Sequence, residues 1–144
     1  WGHNPLPWPA DDERPGAACY CGRHGCLETW LSGRQFAHRF QEVTGLAWDS
    51  RRIVAEAQAG HAAAAQAFDR YCDRLARGLA HVINVLDPDV IVLGGGMSNA
   101  RALYAEVPRR WGAYVFSDVV QTRLVPPAHG DSSGVRGAAW LWGR

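Results

Sequence analysis

The stretch "CYCGRHGC" places Cys19, Cys21 and Cys26 within eight positions, three of the four cysteines in the chain. Residues 1–26 around it are rich in proline and glycine and carry no apolar period of either helical or strand type. Such a loop needs something other than a core of its own to hold it. Three thiols without apolar neighbours do not read as core residues, the usual role of a buried free cysteine. A zinc ion takes about four soft or borderline ligands in a tetrahedron, and thiolates on a tight turn supply three of them here. Gly22 and Gly25 can adopt positive φ and let the backbone fold around the ion. His3 and His24 are the nearest candidates for the fourth ligand. His24 sits between Cys21 and Cys26 and would strain the loop, whereas "GHNP" can swing in from outside, so His3 is the expected ligand. Four protein ligands leave no position for a catalytic water, so the metal is expected to be structural. Redox-active or free thiols are the competing reading. Cys72 lies on a helical stripe and reads as a buried core thiol.

Glu28 follows the last of these cysteines by two residues, where a helix begins. If one nitrogen of His3 binds metal, the other becomes a donor of fixed tautomer. A carboxylate and an imidazole held side by side suit a polyhydroxylated ligand. The bland reading of Glu28 is a first-turn charge favoured by the helix dipole.

Beyond residue 26 the pattern becomes regular. Leu27, Trp30, Leu31, Phe36, Phe40 and Val43 predict one helix ending at Gly45, and Asp49 or Ser50 caps a short one through Ala57. The longest helix follows Gly60, with Phe68, Tyr71, Leu75, Leu79, Val82 and Leu86 on one stripe, and "DPD" at 87–89 stops it. "VIVL" at 90–93 predicts a central parallel strand covered on both faces. Gly94, Gly95 and Gly96 come next, then a helix capped by Ser98 or Asn99 and running to Tyr114. "VVQTRLV" predicts a strand ending at Pro126, and a polar loop leads to a last helix from Ser133. This is an α/β order with too few strands to stand alone, so it reads as the helical part of a larger α/β domain. Taken alone, the triple glycine is first a strand-to-helix turn and second a backbone that a ligand can approach closely.

A formal net charge of +1 gives no reason to expect nucleic acid or an anionic membrane as partner. All 15 basic residues are Arg, which excludes a Walker-type phosphate loop and Schiff-base chemistry within these residues. No run of 18 apolar residues and no signal peptide is visible, so a reducing, cytoplasmic setting is expected. The chain opens on Trp1 rather than Met, which suggests an incomplete polypeptide. The tail "HGDSSGVRGAA" lacks a nucleophile elbow; Asp131 and the two serines are expected to cap the last helix, and Arg136 to be solvated. His38, His61, His81 and His129 have no partner at ligand spacing.

"GHNPLPW", "CYCGRHGCLETWLSG", "DPDVIVLGGGMSN" and "HGDSSGVRGAAWLW" together resemble the C-terminal half of the ROK family (repressors, uncharacterised reading frames and sugar kinases), on its fructokinase/mannokinase branch. The resemblance implies an actin-like ATPase (ribonuclease H-like) α/β fold. Residues 1–26 would be a zinc-binding loop and 27–144 the C-terminal domain, with the N-terminal domain absent. It carries His3, Cys19, Cys21 and Cys26 over as zinc ligands, His3 and Glu28 as sugar contacts, and Gly94, Gly95 and Gly96 as adenosine contacts, with Met97 and Asn99 beside them. It implies a hexose, fructose first, and Mg-ATP as substrates, and a homodimer. The catalytic Asp and the phosphate loops of the family would lie upstream, so the chain alone is expected to be inactive. The alternative is a sugar-responsive repressor of the same family, whose DNA-binding segment would also lie upstream.

Overall fold

A computed structural model describes residues 1–142. The single helix expected after residue 26 is two: α1, Leu27–Leu31, and α2, Gly33–Thr44. Ser32 makes the break. Its backbone is extended and its hydroxyl accepts from the Gln35 N–H, so it restarts the helix as an N-cap. Gly45, at φ 75°, ends α2 as its sequence position predicts. Asp49 caps α3, Ser50–Gln58, by accepting from the Arg52 N–H at 2.8 Å. Helix α4, Ala62–Leu86, starts with the His61 imidazole accepting from the Ala64 N–H and stops at Asp87 in the left-handed region, just ahead of Pro88.

Helices α1 to α4 enclose one core in which Leu27, Phe36, Phe40, Ile53, Tyr71, Leu75 and Leu79 are buried. Cys72 is buried there too, as its stripe position predicts. The stripe is shorter than its spacing implies: Val43 and Leu86 are 85% and 71% exposed. Both lie in the last turn of their helix. Leu6 joins the same buried cluster, so residues 1–26 are packed onto the helices as well as closed on themselves.

A polar clamp completes that docking. The Glu13 carboxylate is buried against α4, accepting from Arg74 Nε at 2.7 Å and from Arg77 Nη1 and Nη2 at 2.8 and 3.0 Å. Arg77 also donates to the Trp8 carbonyl at 2.7 Å and pairs with Asp73 at 2.9 Å. Burial would raise the Glu13 pKa, but the hydrogen bonds from Arg77, Arg74 and the Ala10 N–H outweigh it and hold the carboxyl at about 2.

Strand β1, Val90–Val92, pairs in parallel with β2, Arg123–Val125, with Ile91 opposite Leu124. The run predicted to be covered on both faces is only half covered, and Val92 faces solvent. The helix expected from Ser98 to Tyr114 is a 3₁₀ turn, Gly96–Asn99, followed by α5, Leu103–Glu106, and α6, Pro108–Trp111. Pro108 accounts for the second break, because its ring cannot continue a helix. Helix α7, Ser133–Trp140, buries none of its residues. Among the described residues no helix is long and apolar enough to cross a membrane.

Candidate metal and ligand site

The thiol loop is a folded-back ribbon fixed by its own backbone. The Cys19 N–H donates to the Arg23 carbonyl at 2.8 Å and the Gly22 N–H to the Cys19 carbonyl at 2.9 Å, which closes a turn around Cys21. Pro5 pairs with Cys26 in an antiparallel bridge, and the first free N–H groups of α1 are taken by the neighbouring strand: Leu27 donates to the Asn4 carbonyl and Glu28 to that of Gly2. His3 and Glu28 are therefore sewn side by side through main chain. Gly25, at φ 68°, is essential to this crossing, since a Cβ there would lie 2.8 Å from the Pro15 carbonyl oxygen. Gly25→Ala combines that clash with a left-handed strain, and should cost about 2–4 kcal/mol in denaturant unfolding. An unchanged midpoint would show that the loop has another way to close.

His3, Cys19, Cys21 and Cys26 converge: their ligand atoms all lie within 4.8 Å of one another. His3 Nδ1 is 3.4 Å from Cys19 Sγ, and Cys21 Sγ is 3.6 Å from Cys26 Sγ. A tetrahedron with metal–sulfur bonds of ~2.3 Å has edges of about 3.8 Å, so the donor set and its spacing suit one tetrahedral ion. His24 is exposed and outside the group. The thiols also conflict electrostatically. The Arg23 backbone N–H, above all, favours the Cys21 thiolate, whereas burial and the adjoining Cys21 and Cys19 sulfurs push the Cys26 thiol up. A bound dication would remove the conflict.

With Nδ1 turned to the sulfurs, His3 presents Nε2 outward, 3.4 Å from Glu28 Oε2 and 2.8 Å from the Tyr20 hydroxyl. The Tyr20 ring meets the imidazole edge-on, with centroids 4.9 Å apart. Tyr20 was missed in the sequence because it reads as a spacer between two cysteines. Its 82% exposure beside two polar groups is the signal that structure adds.

The glycine turn forms a second concave region. A cavity of about 300 Å³ lies between Ser50, Arg51, Val54 and Gln58 of α3 and Gly96, Met97 and Asn99. Gly94 and Gly95 are exposed next to it, outside the lining. A Cβ on any of the three glycines would meet nothing within 4 Å, so packing among the described residues demands none of them; only Gly95, at φ 76°, needs glycine for its backbone. Asp131 does not cap α7. It accepts from Asn99 Nδ2 at 3.1 Å and lies 3.9 Å from Arg51, bridging the mouth of this cavity, while Ser132 takes the cap position without a side-chain bond. Arg51, Gln58 and Asp131 are lining or rim residues that sequence reading left out, because α3 and the tail meet the glycines only in three dimensions.

Comparison with known proteins gives the family and the fold. The model of the ROK family matches residues 1–144. An N-acetyl-D-glucosamine kinase from Vibrio atlanticus is 38% identical over 97% of the chain and 48% of its own length, and one from Photobacterium profundum is 37% identical over the same shares. A ROK hexokinase structure from Thermus thermophilus superposes with a TM-score of 0.78 at 27% identity, over 97% of this chain and 46% of that one. A ROK glucokinase from Streptomyces griseus, in complex with glucose and AMPPNP, gives 0.78 at 22% identity, over 97% and 49%. The chain spans about half the length of the curated relatives it matches. With the fold of these kinases and a family match along its whole length, the chain belongs to the ROK family.

Proposed function

We propose that residues 1–144 form the ligand-binding half of an ATP-dependent hexose kinase. The observation that carries this reading is the pairing of His3 Nε2 with Glu28 Oε2 at 3.4 Å, on a face backed by the His3, Cys19, Cys21 and Cys26 cluster. Glu28 accepts from sugar hydroxyls, and His3 Nε2, its tautomer set by the bond at Nδ1, donates to them. His3, Cys19, Cys21 and Cys26 would hold zinc, which would supply charge neutralisation and a structural staple. Gly94, Gly95 and Gly96 let adenosine of Mg-ATP lie against main chain beside the α3 cavity. The carboxylate that takes the proton of the attacking hydroxyl comes from outside residues 1–144, so this chain contributes binding and orientation rather than the base. N-acetylglucosamine leads as the acceptor because relatives at 37–38% identity carry that name, and fructose, favoured by the sequence motifs, follows it.

The test is a coupled kinase assay on the full-length protein with N-acetylglucosamine, glucose and fructose in parallel. Glu28→Ala should raise the KM for hexose about 10–100-fold, the worth of one or two hydrogen bonds to a charged group, and leave the KM for ATP nearly unchanged. Gly95→Val, forced out of φ 76°, should do the reverse. No ATP-dependent product with any hexose would end the kinase reading, and equal shifts in both constants would end the division of labour between the two regions.

A further inference from the structure

On a side of the helices that the proposed reaction does not use, a cavity of about 400 Å³ opens between α2 and α4. Its apolar wall includes Phe36, Phe40 and Val43, and its charged lining is Arg39, Arg70 and Arg74 with the single acid Asp12. Arg70 and Arg74 are four apart on α4 and so share a face. Their charges are partly met: Arg70 pairs with Asp12 at the rim, and Arg74 with the buried Glu13.

Arg39 is different. Its Nε donates to the Thr29 carbonyl at 3.1 Å and its guanidinium lies over the Trp30 ring, 3.6 Å from the centroid. Its Nη2 is buried with no hydrogen-bond partner among the described residues. Arg74 approaches the same ring at 4.4 Å. Burial, then the charge of Arg74, drives the Arg39 pKa below its ordinary value.

We propose that this cavity binds a small oxyanion carried on an apolar body, with Arg39, Arg70 and Arg74 holding the anion and Phe36, Phe40 and Val43 receiving the apolar part. The guanidinium forks match carboxylate and phosphate alike. The cavity is lined by Trp30, whose Nε1 donates to the Gly25 carbonyl of the thiol loop at 3.2 Å, so an occupant rests one side chain away from that loop. The proposal does not depend on the kinase reading.

Titration calorimetry of the intact chain with phenyl phosphate, phenylacetate and inorganic phosphate tests it. Phenyl phosphate should bind saturably and about tenfold or more tighter than inorganic phosphate, the worth of burying a ring. Arg39→Gln should weaken it about tenfold by removing a charged donor. Arg39 covers Trp30, so two rim variants guard against misfolding: Arg70→Gln should weaken binding several-fold, and Val43→Glu should abolish it by repulsion. Gly95→Val should leave binding unchanged, which separates this cavity from the glycine turn. Phenylacetate binding as well as phenyl phosphate identifies a carboxylate source, and much weaker phenylacetate binding a phosphate one; either supports the shared chemistry. Absence of saturable heat, equal affinity for inorganic and phenyl phosphate, or rim variants with unaltered affinity would overturn it.

Discussion

Cys26→Ser is expected to yield a chain without stoichiometric zinc, while the parent chain holds about one ion. Cys26 is 1% exposed and its sulfur lies among the other donors, so the variant loses both a ligand and the fit of the thiol turn. Zinc sites of this type carry binding free energies on the order of 10 kcal/mol, and where the site does not exist in the unfolded chain that energy is folding energy. Loss of the ion should therefore lower the Tm steeply and open residues 1–26 to proteolysis before the helices. A strong chelator acting on the parent should reproduce both effects. Cys72→Ser makes the control: it replaces a core thiol by a buried hydroxyl, costs stability through packing and desolvation, and should leave zinc binding unchanged. A parent chain free of metal after purification from zinc-replete medium, or a Cys26→Ser chain with unaltered Tm and proteolysis, would show that the four donors converge for another reason.

The second large effect belongs to Glu13. Its side chain and that of Arg77 are 3% and 5% exposed, so removing the carboxylate leaves a buried guanidinium with only the partly exposed Asp73 as its counter-charge. Glu13→Ala should cost about 3–5 kcal/mol in denaturant unfolding, more than any surface pair in the chain. The same residue gives a pH signature. Its carboxyl is held at about 2 in the folded chain against an ordinary 4.5, so its contribution is fully present above about pH 4.5 and drains away as pH falls toward 2. That difference corresponds to about 3 kcal/mol across the window. Glu13→Gln should flatten stability against pH in that range. A variant as stable as the parent, with the same acid limb, would show that the clamp contributes nothing net.

What could be read from the residues was local. Gly45 and Asp49 sit where turn and cap chemistry place them, and the thiol cluster with His3 was legible because its donors are close in sequence apart from one loop. The failures have the opposite character. Glu13 and Arg77 are 64 residues apart, and nothing in either local pattern pairs them. Leu86 obeys the helical period yet stands in solvent, because periodicity records which face a residue takes and not how far the neighbouring element extends. "VIVL" has the composition of a strand buried on both sides, whereas burial depends on layers that composition cannot count. Asp131 had a cap available next door and instead serves Asn99, a choice decided by the tertiary approach of the tail.

The narrow sheet has a consequence for handling the polypeptide. Each of its two strands hydrogen-bonds on one side only among the described residues, leaving an outer rim of amides and carbonyls on both flanks. Such rims accept whichever extended segment arrives first. In a concentrated solution of residues 1–144 that segment would come from another copy, so edge-to-edge association is expected, and dilution or a short strand-capping peptide should relieve it.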